Sequence, residues 1–392
     1  MRRMFSLLAV AGLVAAAMLA PPVSAKVKPD ISIWEAYASG GTAEPAAFAA
    51  VLARVQAHNP KVTISAEDHS FGSLFSDFFG SAASGAPDLM VAPNDVLYGE
   101  WQSGLISDVG SVLHSRLRTL RPAAIAGSTV DGHLVQVPES LKAIALYYDK
   151  DQLRKPPTTT GKFLDALKAG TKLGIIGNGG ELLYAYGFYG AFGGRILNDQ
   201  GRCVADRTPG VANALAWLHK ATDAGLVIFG SAQEAAAALV SGDVAGYLEG
   251  NWVFGDLAAA MGSRLGVVTG PSGPGGPFRS LVGVDGYVVN AASPDLAAAT
   301  NVALDMTDRS AQVTFMGTAG HIPADRTIGV TDSRLRAFEQ ATEDGVVRPM
   351  MAEFDAYWGF FGDAYGRVVY GGENASAVVH EDCAAMNASN GF

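Results

Sequence analysis

The feature that most constrains the fold is an alternation of short apolar strands and helices in the first third of the chain. Strands are predicted at residues 31–34, 62–64 and 87–92. Helices are predicted between them, at residues 45–58 and 74–83. In the first helix, apolar side chains such as Phe48, Val51 and Val55 recur at helical spacing. This order predicts an α/β fold in which helices cover a parallel sheet.

The alternation continues to about residue 307, and the remainder is mostly helical. Further strands are predicted at residues 134–138, 143–148, 173–176 and 282–290. Further helices are predicted at residues 160–170, 210–224 and 294–307. A chain of 392 residues with this many elements is long enough for two lobes, each with its own core.

The segment at residues 235–252 points to a ligand site. It predicts a helix, a Ser-Gly-Asp break, a short apolar strand and a Gly-Asn-Trp turn that ends at Trp252. Ligands of open α/β sheets bind beyond the carboxyl ends of strands. A Trp in that position offers a flat apolar face to a sugar ring. The alternative is that Trp252 packs in the core of its lobe.

The N-terminus has the features of a secretory signal peptide. Arg2 and Arg3 precede an apolar run at residues 5–19, and Val-Ser-Ala at residues 23–25 fits a cleavage site. The run is shorter than the ~20 residues that span a bilayer, although an uncleaved anchor is the alternative. We expect cleavage near Ala25 and a periplasmic location.

The net charge limits the classes of binding partner, and the two cysteines bear on the redox environment of the protein. The net charge is −10, and loss of Arg2 and Arg3 would make it more negative. Such a charge argues against nucleic acid and anionic membranes as partners. An exported chain can oxidise Cys203 and Cys383 to a disulfide, but two buried free thiols remain an equal alternative.

Several short motifs occur in a fixed order along the chain. They are Gly-Ala-Pro-Asp at residues 85–88, Ser-Gly-Leu-Ile at 103–106, Ala-Leu-Tyr-Tyr-Asp-Lys-Asp at 145–151, the segment 241–252, and Ile-Pro at 322–323. Together these motifs resemble the extracellular solute-binding proteins of ABC importers, family 1, which includes the maltose and maltodextrin binders. Each motif is weak alone, but their common order over more than half of the chain is specific.

The resemblance implies a two-lobed periplasmic binding protein fold of type II, with discontinuous lobes around an interlobe cleft. After a signal peptide at residues 1–25, the N-terminal lobe would comprise residues 26–140 and 286–330. The C-terminal lobe would comprise residues 141–285 and 331–392. The implied function is capture of a carbohydrate, an oligosaccharide such as a maltose- or trehalose-like sugar, for an inner-membrane permease. We expect a monomer with no catalytic residues, cofactor or metal.

Nine residues are candidates for ligand binding. They are Glu35, Tyr37, Asn94, Asp95, Glu181, Tyr184, Trp252, Asp285 and Trp358. The resemblance implies stacking by Trp358 and acidic contacts from Asp95 and Glu181, whereas the other candidates follow strand ends or lie close to Glu181. The alternatives are core packing for the aromatic residues, a solvated loop acid for Glu35 and a hinge role for Asp285.

The chain also departs from the sugar-binding members of the family. Lys142 stands where an acid is expected, and Ala-Pro at residues 92–93 replaces an aromatic residue. Two other functions therefore stay open. The same fold could bind a polyamine through acidic side chains, or a secreted glycoside hydrolase could use a pair of them. The chain contains no Gly-x-Ser-x-Gly, His-Glu-x-x-His or P-loop motif.

Overall fold

The computed structural model describes residues 30–177 and 181–392. The predicted signal peptide therefore lies outside the described residues. The strands are β1 Asp30–Glu35, β2 Thr63–Asp68, β3 Leu89–Pro93, β4 Thr129–Val130, β5 His133–Leu134, β6 Val137–Lys142, β7 Ile144–Asp149, β8 Leu173–Ile176, β9 Val227–Phe229, β10 Gly246–Gly250, β11 Leu265–Thr269, β12 Leu281–Val289, β13 Ile322–Pro323 and β14 Val346–Val347.

Helices connect and cover these strands. They are α1 Ala43–His58, α2 Phe71–Ser81, α3 Leu97–Gln102, α4 Gly110–Leu113, α5 Pro122–Gly127, α6 Thr160–Lys168, α7 Glu181–Ala191, α8 Gly210–Asp223, α9 Ala232–Ser241, α10 Phe254–Met261, α11 Leu296–Met306, α12 Arg309–Ala319, α13 Ser333–Asp344, α14 Asp355–Tyr365 and α15 Ala375–Ser389. None of the described helices combines the length and the apolar character that crossing a membrane requires.

The first sheet contains the three strands predicted in the first third of the chain, as β1, β2 and β3. Its order is β13-β6-β12-β3-β1-β2, with β14 beside β12. The strands β2, β1 and β3 run parallel, as predicted from the helices between them. The sheet is mixed as a whole because β12 runs antiparallel to both β3 and β6.

Both faces of this first sheet are covered. Along β3, Leu89 and Val91 join one apolar cluster, whereas Met90 and Ala92 join another on the opposite face. This alternation follows from the two-residue period of a strand. The first cluster lies under α1, α11 and α12, and the second lies under α2.

The second sheet is smaller and has the order β11-β7-β10-β8-β9. β7 is antiparallel to both of its neighbours, while β10, β8 and β9 are parallel. Its core contains large buried rings, among them Tyr147, Phe163 and Tyr357. Helices α7, α8, α14 and α15 pack together around it.

The two sheets define two lobes, which we call the first lobe and the second lobe in the order of their sheets. The chain passes between the sheets from β6 to β7, through Ala143 alone, and returns from β11 to β12. The fold is thus an α/β fold of two lobes made from discontinuous segments, as expected. The residue bounds given above for the lobes stay a prediction.

A disulfide joins Cys203 to Cys383 across a sequence separation of 180 residues, with the Cα atoms 5.5 Å apart. It ties the segment between α7 and α8 to α15. Asn387 reinforces the same contact, because its amide group bonds both the backbone N–H and the carbonyl of Cys203, at 2.8 and 3.1 Å. Of the two alternatives for the cysteines, a disulfide or two buried free thiols, the structure shows the disulfide.

Glu100, on α3, is fully buried, and neither carboxylate oxygen has a hydrogen-bond partner among the described residues. Burial raises the pKa of Glu100 to about 8. The folded state therefore holds a proton that the unfolded state releases above its ordinary pKa near 4.5. Glu100 thus costs stability as the pH rises from about 4.5 toward 8.

We predict that Glu100→Gln stabilises the protein at neutral pH and not in acid. The gain should be about 3 kcal/mol at pH 7 and should vanish near pH 4.5, in urea unfolding at both values. Glu67→Gln, at an exposed glutamate, serves as the matched control and should change little. A gain of equal size at both pH values would contradict the assignment of the buried proton.

Candidate functional site

A cavity of about 550 Å³ lies between the two lobes. Its walls follow the carboxyl ends of β1, β3, β6 and β10, where ligands of α/β sheets bind. The volume falls within the range of small-molecule sites, which is about 300–1,000 Å³. Six of the nine predicted residues line it, namely Tyr37, Asp95, Tyr184, Trp252, Asp285 and Trp358.

Trp252 follows β10 in the turn that the sequence predicted, and it is partly buried. Its ring lies over Gly250, where an added Cβ would come 2.1 Å from Cζ3 of the ring. A larger residue at this position would push the ring aside. The Gly in the Gly-Asn-Trp turn thus sets the position of Trp252 in the cavity.

Trp358 reaches the cavity from α14 and is partly buried. Tyr357 packs against it edge-on, with ring centroids 5.2 Å apart. The guanidinium of Arg348 lies 5.4 Å from the centroid of the Trp358 ring, within the range of a cation–π contact. Arg348 also forms a salt bridge with Asp95, so this acid and Trp358 are positioned by the same side chain.

A buried network of charges adjoins the cavity, and three of its members, Glu44, Lys142 and Asp285, line it. Nζ of Lys142 donates to Oε1 of Glu44 at 2.6 Å and lies 3.2 Å from Oδ2 of Asp285. It also lies 2.7 Å from Nε2 of His321, whose Nδ1 bonds Oε2 of Glu139 at 2.8 Å. We call these five residues the Lys142 network.

The network changes the pKa of its members. Burial alone would raise the pKa of Glu44, but the charge of Lys142 and the bond from His321 outweigh it and lower that pKa. Burial and Lys142 lower the pKa of His321, but Glu139 and Glu44 outweigh them and raise it to about 9. For Asp285, burial exceeds the attraction of Lys142 and raises the pKa.

Glu44, Asp285 and His321 place ligand atoms within 4.8 Å of one another, a spacing that suits a metal ion. The ammonium of Lys142 explains why these three side chains lie so close together. It lies within 3.2 Å of an atom of each residue and takes the central position that a metal would need. The cluster is therefore an ionic network with Lys142 at its centre.

Asn251 connects the network to the stacking residue. Its Oδ1 accepts from the backbone N–H of Ala143 at 3.1 Å, and its Nδ2 donates to the carbonyls of Leu141 and Gly320 at 3.3 and 3.2 Å. Trp252 is the next residue. These bonds fix the position of the Trp252 ring relative to Ala143, where the chain passes from the first lobe to the second.

Glu35, Asn94 and Glu181 do not line the cavity. Oε2 of Glu35 accepts from the backbone N–H of Tyr37 at 2.7 Å. Asn94 is fully buried, where it donates to the carbonyl of Gly127 at 2.9 Å and accepts from the N–H of Val284 at 3.0 Å. Glu181 begins α7. The ligand role of these three residues stays a prediction.

Tyr184 lines the cavity, and a buried acid supports it from behind. Its hydroxyl donates to Oε1 of Glu249 at 3.0 Å. Burial raises the pKa of Glu249 to about 7. The hydrogen bond that orients Tyr184 therefore involves a group that titrates near neutral pH.

Several cavity residues were not among the sequence predictions. Among them are Glu44, Phe71, Lys142 and Arg348. The sequence contains one indication for Lys142, because a lysine stands there at a position where the sugar-binding members of the family have an acid. Glu44, in the first turn of a helix, and Arg348, before a proline, carried none, because only tertiary contacts distinguish them from surface charges.

Comparison with known proteins agrees with this architecture. Residues 50–329 match the family model described as bacterial extracellular solute-binding protein. That match spans more than half of the chain, so the protein belongs to this family. The maltodextrin-binding protein MdxE of Bacillus subtilis is 27% identical over 128 residues, an alignment that covers 30% of either chain.

Two solved structures share the fold over nearly their whole length. The maltose/maltodextrin-binding domain MalE of Bdellovibrio bacteriovorus, bound to maltotriose, superposes with a TM-score of 0.80 at 22% identity, over 92% of this chain and 99% of that one. The maltotriose-binding protein of Thermus thermophilus, bound to maltotriose, has a TM-score of 0.80 at 24% identity, over 92% and 100%. The two-lobed fold is thereby established.

We predict that Lys142→Met strongly destabilises the protein. Removal of the ammonium takes away the cation 3.2 Å from Asp285 and leaves Glu44 with His321 as its one cationic neighbour within the described part of the chain. Breaking a buried pair costs about 3–5 kcal/mol. Denaturant unfolding at pH 7 measures the loss. Lys150→Met, at an exposed lysine, is the control and should cost far less. An equal loss of unfolding free energy in both variants would show that the Lys142 network does not stabilise the protein.

Proposed function

We propose that the protein is the carbohydrate-binding component of an ABC importer, and that it captures an oligosaccharide between its lobes and delivers it to a permease. The observation that carries the proposal is the pair Trp252 and Trp358 in one interlobe cavity. Aromatic faces stack on the C–H faces of sugar rings while polar side chains bond the hydroxyls. Family membership and the sugars held by the two structural neighbours support the same ligand class.

The charge pattern of the cavity favours a neutral ligand over a polyamine. Its acids already have cationic partners, since Asp95 pairs with Arg348, and Glu44 and Asp285 pair with Lys142. A polyamine would have to displace these side chains to gain ion pairs. For the same reason, these carboxylates are poorly suited to the acid and nucleophile roles of a glycoside hydrolase, and we propose binding without catalysis.

We further propose a periplasmic location and a monomeric state. The predicted signal peptide and the Cys203–Cys383 disulfide support export to an oxidising compartment. Ligand binding would close the lobes about the connections near Ala143.

Calorimetry with maltose, maltotriose and maltotetraose tests the proposed ligand class. At least one sugar should bind with a stoichiometry of one and without turnover. Trp252→Ala should weaken that binding about thirtyfold, the equivalent of about 2 kcal/mol for loss of a central aromatic contact. Trp101→Ala removes a partly buried Trp that packs on His133 outside the cavity, and it should leave affinity unchanged.

Two outcomes would contradict the proposal. One is that none of these sugars binds, while putrescine or spermidine does. The other is release of new reducing ends from the oligosaccharides, which would indicate a hydrolase.

A further inference from the structure

One part of the wall that the first lobe presents to the cavity is apolar. Its side chains come from the end of β1, the beginning of α2 and the end of β3. They are Ala36, Phe71, Leu74, Val91, Ala92 and Pro93. None of these side chains can bond a sugar hydroxyl.

The polar groups on the same side are mostly engaged. Asp95 pairs with Arg348, and Glu44 accepts from Lys142. Oγ of Ser39 accepts from the backbone N–H of Phe71 at 3.1 Å. The hydroxyl of Tyr37 is the exception, since it is buried and has no partner among the described residues. This half of the cavity thus offers few hydrogen bonds to a ligand.

A sugar ring pressed against this wall would lose its bonds to water without replacement. An unpaired buried hydroxyl costs about 1–3 kcal/mol. A group without hydroxyls has no such cost and gains from burial of its apolar surface. The wall is therefore complementary to an apolar part of a ligand.

Phe71 extends this wall toward solvent. Its side chain lines the cavity yet is 44% exposed, and its ring meets Phe75 edge-on with centroids 5.5 Å apart. Phe79, two turns further along α2, is similarly exposed at 40% but does not line the cavity. The exposed face of Phe71 can thus receive a ligand group that is continuous with the occupant of the cavity.

We propose that the preferred ligand is a glycoside with an apolar, hydroxyl-free group, which lies against this wall and Phe71 while the sugar stacks on Trp252 and Trp358. This inference rests on the proposed function, because it assumes that the cavity binds carbohydrate. It adds a class of ligand that a plain maltodextrin does not represent.

Calorimetry with p-nitrophenyl α-maltoside, maltose and maltotriose tests the inference. The aryl maltoside should bind the unaltered protein at least tenfold more tightly than either plain sugar. Phe71→Ala should weaken aryl maltoside binding by between about twofold and about tenfold, a larger factor than its effect on maltose binding. Phe79→Ala, the matched control on the same helix, should change neither affinity.

The outcomes separate the inference from the proposed function. If maltose or maltotriose binds as tightly as the aryl maltoside, or if Phe71→Ala and Phe79→Ala behave alike, the inference is wrong while the sugar-binding function stands. If the unaltered protein binds none of the three glycosides and no maltotetraose, both are wrong.

Discussion

The buried ammonium of Lys142 is the interaction on which the site depends. It ends β6, one residue before the chain passes to the second lobe, and it bonds Glu44 of α1 and faces Asp285 of β12. Burial of several charges is costly unless they neutralise one another. Lys142 thus holds β6, α1 and β12 together beside the cavity, where the chain passes between the lobes.

Other hydrogen bonds and ion pairs position the two Trp rings of the cavity. Asn251 bonds the backbone on either side of Lys142, at Leu141 and Ala143, and Trp252 follows it directly. On the opposite side, Arg348 pairs with Asp95 and lies over Trp358. Arg348, already paired with Asp95, positions the Trp358 ring, whereas Gly250 and Asn251 position Trp252. The ring faces are left for a ligand.

Local periodicity explains how much of the fold the sequence predicts. Strand β8 and helix α8 have the predicted bounds to within a residue, and the apolar strand before Trp252 places that ring at a strand end. The Lys142 network lay beyond such reasoning because Glu44 is 98 residues from Lys142, and His321 is 179 residues from it. A lysine and a glutamate are ordinarily surface residues, and only the tertiary fold buries them. The same limit applies to Asn94, whose place after a strand predicts a ligand contact but does not show its bonds to the carbonyl of Gly127 and the N–H of Val284.

The most direct test of the account is a crystal structure of the protein with maltotriose. We expect a sugar in the interlobe cavity, with ring atoms within about 4 Å of Trp252 and Trp358 and with Lys142 still bonded to Glu44. Maltotriose bound outside the cavity, or bound in it without contact to either Trp ring, would contradict the account.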